Sequence, residues 1–267
     1  MCDDTTVTGC TKLNTQVSRG SFCWLLLIIS AYAPLVQGAA LVQSTKCQDW
    51  TDYPVTYQCS FSRDTTPQNA IIVFALVSGS PSVVVTNIVD DHKPGSNQYA
   101  LDLHYLFGDV QNIYFYSAAG AGSARTITLT ANISTHFQVV VMEVSGLLAS
   151  GPLVDRTNTH DNGYNSGMTF TSGLTPETTQ ADEFLVGWNE QAYPNVMTFS
   201  DDRPWVLVEQ QTLGGSRIVY RTTNTEGKFA YTGKFTGDGN YRVGAAIVTY
   251  KAASGESGSS PSRPPGS

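Results

Sequence analysis

The chain has 267 residues and a formal net charge of −7, with only 14% of its residues Asp, Glu, Lys or Arg, where an ordinary globular protein carries about 25%. A lightly charged chain with an acidic surplus argues against nucleic acid and anionic membrane as partners, since both select clusters of Lys and Arg. Thr, Ser, Gly, Asn, Val and Tyr are abundant instead, a composition that suits strands and turns.

Residues 22–36 form an apolar run, FCWLLLIISAYAPLV, with Arg19 before it and Gln37-Gly38-Ala39-Ala40 after it. The run is shorter than the roughly 20 residues a spanning helix needs, and Pro34 lies inside it. It reads as a secretory signal cleaved after Gly38, which leaves no transmembrane span in the mature chain. The alternative is an uncleaved anchor, because the segment ahead of the run is long for a signal and mixes Asp3 and Asp4 with Lys12 and Arg19. A misassigned start codon would also explain that leader. The expected organisation is a signal peptide with a long leader over residues 1–38, one β-sandwich domain over 39–251, and a disordered tail over 252–267. The protein is expected to be secreted. The tail, AASGESGSSPSRPPGS, has no apolar side chain larger than alanine or proline to bury, and no hydrophobic terminal segment of the kind a lipid-anchor signal requires.

Of five cysteines, Cys2, Cys10 and Cys23 fall before the cleavage point. Cys47 and Cys59 remain, and in an oxidising compartment they are expected to form a disulfide tying the first two strands. The intervening QDWTDYPVTYQ offers only Asp49 and Asp52 as further ligands, too few to favour a metal.

Period-two alternation begins at residues 55–61, where it points Cys59 inward, and recurs at residues 125–130, where Ile127 and Leu129 alternate with threonines. Residues 71–77, 139–142 and 184–188 are apolar or nearly so throughout and read as central strands. Turn chemistry separates them at Ser78-Gly79-Ser80-Pro81, Lys93-Pro94-Gly95-Ser96, Gly120-Ala121-Gly122-Ser123, Asn162-Gly163 and Thr236-Gly237-Asp238-Gly239. The Gly120 and Thr236 turns read as hairpins, the latter joining residues 228–235 to 241–250. No stretch of ten residues carries a helical stripe. The fold class is therefore all-β, an antiparallel two-sheet sandwich, jelly-roll-like, since the body is too long for one immunoglobulin-type domain. Two tandem small sandwiches are the alternative, and no proline-rich linker or break in composition speaks for them.

The segments Asn69-Ala70-Ile71-Ile72-Val73, Ile113-Tyr114-Phe115-Tyr116, Val141-Met142-Glu143-Val144-Ser145-Gly146-Leu147, Ala181-Asp182-Glu183-Phe184-Leu185-Val186-Gly187 and Ala245-Ala246-Ile247-Val248-Thr249-Tyr250 occur in an order that resembles uncharacterised secreted β-sandwich modules of bacterial surface proteins. The resemblance covers most of residues 40–251. It implies a jelly-roll-like fold and no established catalytic residues, and the Cys47–Cys59 loop is not part of it.

Candidate sites are few. Glu183 and Glu190 are the best carboxylate pair for glycoside chemistry, but seven positions apart on a regular strand they point to opposite faces, and Glu183 reads as a polar residue at a strand start. The four histidines show no metal-ligand spacing. Asp90, Asp91 and Asn97 give one loop oxygen-rich character suited to calcium, with Asp238 and Asn240 a weaker version, although polar turns look the same without an ion. No cofactor is expected. Trp50 and Tyr53 inside the disulfide loop, and Tyr193 and Trp205 beside prolines, are candidate platforms for sugar rings; the alternative is that they cap the ends of the sandwich. Asn132-Ile133-Ser134 is the sole N-glycosylation sequon. Leu41 and Val42 lie in an uncharged, β-prone segment that could exchange between subunits or serve as the first strand of its own sandwich. The expected function is a non-enzymatic extracellular structural or adhesive module, a self-assembling filament or coat subunit in its most specific form. The alternatives are a carbohydrate-binding module and a secreted glycan-active enzyme. The expected partners are further copies of the chain and surface glycans.

Overall fold

Sixteen strands and no helix make up the regular structure among the described residues. These are, in the computed structural model, residues 38–49, 51–108, 110–165, 169–191, 198–202, 204–210, 216–236 and 241–253. The first eight strands are β1 (Ala40–Asp49), β2 (Thr56–Ser60), β3 (Ala70–Ser78), β4 (Val85–Asp90), β5 (Ala100–Phe107), β6 (Gln111–Ala118), β7 (Thr126–Ala131) and β8 (His136–Ser145). They form a five-stranded sheet of order β1-β8-β3-β6-β5 and a three-stranded sheet of order β2-β7-β4. The next eight are β9 (Val154–Asn165), β10 (Thr169–Thr171), β11 (Asp182–Gln191), β12 (Thr198–Asp201), β13 (Val206–Gln210), β14 (Arg217–Asn224), β15 (Thr232–Thr236) and β16 (Tyr241–Lys251). Their sheets run β13-β14-β11-β16-β9 and β10-β15-β12. Each strand of the second half thus occupies the place of the strand eight earlier. The all-β antiparallel sandwich expected from the sequence is present, but as four sheets in two eight-stranded halves where one two-sheet body over residues 39–251 was expected.

The apolar runs explain how the layers stack. In β3 the side chains of Ile71, Val73, Ala75 and Val77 pack toward the small sheet of the first half, with Ile127, Leu129 and Phe137. Ile72, Phe74 and Leu76 point the other way and meet Phe184, Val186 and Trp188 of β11 in a core shared by both halves. Leu185 of β11 joins Val219, Tyr231 and Ile247 in a third core under the small sheet of the second half. A strand buried on both faces has no polar positions to spare, hence the unbroken apolar runs. Trp188 of the second half sits within 6.3 Å of Phe74 and Tyr105 and 5.9 Å of Phe107 of the first, ring centre to ring centre. Edge strand β5 lies against β9 and β16. Both halves belong to one compact unit.

Three local expectations are corrected. The Gly120 turn leads from β6 in a five-stranded sheet to β7 in a three-stranded one, so it crosses between sheets and is no hairpin. The same holds for β15 and β16, which also lie in different sheets; residues 237–240 between them are outside the described residues. Asn162-Gly163 does not reverse the chain but makes a bulge in β9, where pairing jumps from Tyr164 opposite Arg242 to Asp161 opposite Gly244. Gly163 supplies the positive φ, +64°, that such a bulge needs. At the C-terminal end the body extends past β16: Ala252 bridges Leu147, and the amide of Ala253 donates to the carbonyl of Gly146.

Candidate functional site

Cys47 and Cys59 are bonded, with Cα atoms 5.5 Å apart. Alternation along β2 turns Cys59 into the first-half core, and the bond ties an edge strand of the large sheet to an edge strand of the small one.

Acidic side chains hold the loops. Glu143 on β8 accepts from the Thr66 amide at 2.7 Å, from Asn69 Nδ2 at 2.6 Å and from Gln43 Nε2 at 2.7 Å. Burial works to raise its pKa, but these three donors together hold it below the usual range. The amides of Thr51 and Asp52 likewise keep Asp49 low.

The residues singled out for calcium do come together, bonded to one another. Asp90 Oδ1 accepts from the amides of His92 and Asn97, and Oδ2 from Asn97 Nδ2 and the Tyr99 hydroxyl, both at 2.7 Å. Asp91 Oδ1 accepts from the amides of Arg125 and Thr126 at 2.7 and 3.0 Å. The cluster pins the loop after β4 against the start of β7. Among the described residues no group of three or more His, Cys, Asp or Glu side chains is placed to hold a metal ion.

The aromatic candidates do not converge. Trp50, Tyr193, Asp238 and Asn240 lie outside the described residues. Tyr53 is half exposed and leans on His136, with ring centres 4.0 Å apart. Trp205 is a correction: it is 9% exposed, packs edge-on against Tyr231 and lies under the Arg221 guanidinium, so its ring is core rather than platform. The flanking proline suggested exposure, but β14 brings Arg221 over the indole. Asn132 is exposed in the turn before β8, where its side chain bonds Ser82 O and the Val84 amide. Leu41 and Val42 lie in β1, which pairs with β8 of its own chain from Ala40 opposite Ser145 to Asp49 opposite Phe137, with a register shift between Leu41 and Gln43.

The chemistry that sequence reasoning missed lies in the second half. Glu183 on β11 stands directly opposite Lys251 on β16, and a bulge in β9, with Val154 opposite Tyr250 and Arg156 opposite Thr249, adds Asp155 beside them. The Asp155 side chain is wholly buried. Its Oδ2 accepts from the Thr179 amide at 2.5 Å and its Oδ1 from the Thr179 hydroxyl at 2.7 Å. Arg156 Nη1 lies 3.3 Å and Lys251 Nζ 3.7 Å from the same Oδ1. Burial works to raise Asp155, but the Thr179 donors and Arg156 hold it low and ionised. Glu183 is 1% exposed, and its carboxyl faces Asp155 and the Thr249 hydroxyl. Burial first, and the facing Asp155 carboxylate second, push it up to about 8. Two touching carboxyls share a proton, and here Glu183 carries it.

Two further carboxyls lie where the halves meet. Asp102 accepts from Ser117 Oγ at 3.0 Å and from the hydroxyl of Tyr250, in the other half, at 3.1 Å. Burial pushes it up to about 7 against those two donors. Glu190 is buried on the opposite face of β11 from Glu183, as their spacing required, and burial pushes it up to about 8 against Gln111 and Ser216. Finally, a 430 Å³ groove runs along the outer edge of β4, from Val85 to Val89, bounded by residues 96–99 and Tyr116. It exists because β5 pairs with β6 and leaves β4 at the edge of its sheet.

No protein-family model, curated protein or solved structure matches this chain.

Proposed function

We propose that the chain is a secreted, non-enzymatic structural or adhesive module, two jelly rolls welded into one rigid block that self-associates at a surface. The observation that carries this reading is the shared core: one face of each five-stranded sheet is consumed in joining the halves, so what remains for partners is edges, loops and the outer faces of the three-stranded sheets. The loops are clamped by Glu143, Asp90, Asp91 and Asp155, which suits presentation of fixed surfaces. A disulfide between sheets is supporting chemistry for an oxidising compartment, and the apolar run at residues 22–36 supplies the export signal. The resemblance to modules of bacterial surface proteins points the same way. The test is the state of the native secreted protein, by light scattering and electron microscopy. Ordered assemblies are the expected result, and a monomer at all concentrations that binds no surface would refute the proposal.

One observation favours the glycan-binding alternative. The β4 groove presents Asn87, Gln98 and the Tyr116 edge, uncharged groups suited to neutral hydroxyls. A glycan array in which binding disappears on Asn87→Ala and Gln98→Ala would establish it.

A further inference from the structure

Asp155, Lys251 and Glu183 sit on three adjacent strands of the second half, β9, β16 and β11, with both carboxyls buried and the Lys251 side chain 24% exposed. We propose that Lys251 and Asp155 join in an intramolecular isopeptide bond, a self-catalysed amide crosslink between the first and last strands of the second jelly roll, with Glu183 as proton carrier. This goes beyond the structural reading above and does not depend on it.

The geometry supplies each requirement of amide formation. The amine and the acid are already in contact, Lys251 Nζ standing 3.7 Å from Asp155 Oδ1, and the fold holds them there, which replaces a bimolecular encounter by an intramolecular one. The Thr179 amide and hydroxyl grip the two Asp155 oxygens and stabilise the negative oxygen of a tetrahedral adduct. Glu183, whose buried carboxyl faces Asp155, is a neutral acid beside the leaving oxygen. Arg156 is the other charged group on this corner, and its guanidinium is tied to the carbonyls of Asp155 and Glu177 at 2.8 Å each, so it holds the carboxyl in place without competing as a nucleophile. The Asp155 side chain is fully buried, which keeps water from reversing the reaction.

The balance is that of a condensation. The Lys251 ammonium passes one proton to the Asp155 carboxylate across their ion pair, and the freed amine attacks Cγ, forming the Nζ–Cγ bond. Glu183 gives its proton to one Asp155 oxygen and takes one from the nitrogen, so it ends unchanged. The Cγ–O bond breaks and the oxygen leaves as water. Ammonium and carboxylate become one amide and one water, with no oxidant or cofactor consumed.

The experiment is the intact mass of the purified folded protein, followed by tandem mass spectrometry of its peptides. We expect a mass lower by one water than the sequence with its disulfide requires, and a branched peptide joining Asp155 to Lys251. Lys251→Arg and Glu183→Gln, checked for native circular dichroism, should each restore the missing water. Full mass in the wild-type protein, with Lys251 recovered as an unmodified peptide, overturns the proposal without recourse to any variant. So does a lost water that maps to another site, such as a cyclised Asp238-Gly239, and its persistence in Glu183→Gln overturns the role of Glu183.

Discussion

The two halves share one topology and almost none of its chemistry. β3 reads AIIVFALVS and is apolar until its last residue, whereas β11 reads DEFLVGWNEQ and buries Glu183, Asn189, Glu190 and Gln191. The first half is locked by a disulfide, while residues 154–251 contain no cysteine. Yet one device recurs. In Asp64-Thr65-Thr66 the middle threonine exchanges bonds with Ala124, its amide donating to the carbonyl and its hydroxyl accepting from the amide. Thr178 of Glu177-Thr178-Thr179 does the same with Gly227. In each half a carboxylate then caps the amide of the next threonine: Glu143 from β8 in the first, Asp155 from β9 in the second. The fold needs an acceptor at that amide and is indifferent to which strand provides it, because a buried N–H without a partner costs about 1–3 kcal/mol.

That difference between the halves can be broken at graded cost. The largest effect should come from what they share. Trp188→Ala, with its ring among Phe74, Tyr105 and Phe107, should cost about 3–5 kcal/mol and lower the melting of both halves together in calorimetry. A half that melts at its wild-type temperature would mean that the core is not shared energetically.

Next comes pH. Asp102 and Glu190 lie between the halves with pKa values raised to about 7 and about 8, from 3.8 and 4.5. An acid that holds its proton more tightly when folded adds stability that is full below its unfolded pKa and lost as pH rises through the folded one. Stability should therefore fall from about pH 5 to pH 9, with a Tm drop of about 5–10 °C. Asp102→Asn and Glu190→Gln together should shrink that slope to the part contributed by Glu183, which is also raised to about 8. Below about pH 4 the sign reverses, since Glu143 is held low and loses its bonds on protonation.

Reduction of Cys47–Cys59 should cost about 3 kcal/mol by reopening the loop between them, read as a shift in the urea midpoint. The smallest effect is Glu143→Ala, about 1–3 kcal/mol, since Thr66 and Asn69 lose an acceptor while the strands stay paired.

Much of the fold was legible because its signals are local. Alternation, the apolar runs of β3, β8 and β11, and a lone cysteine pair each declare themselves within a few residues. The duplication did not, because strand order repeats while sequence does not; only the acid-Thr-Thr triplets echo, too short to stand out. The Asp155, Glu183 and Lys251 corner was hidden for a related reason. Residues 28 and 68 positions apart along the chain meet only once β9, β16 and β11 are in register, and a bulge that no local pattern marks brings Asp155 into line. Trp205 stood open between platform and packed ring because the residue before it is a proline, while its neighbours in space, Tyr231 and Arg221, decide for the packed ring.

Hydrogen exchange of the native protein, followed at the amides of β3 and β11, tests the welded pair most directly. A shared core requires that these two central strands open together, with the same free energy and the same dependence on denaturant. If β11 exchanges through a lower-energy opening while β3 stays protected, the halves are separate domains in contact, and the rigid block does not exist.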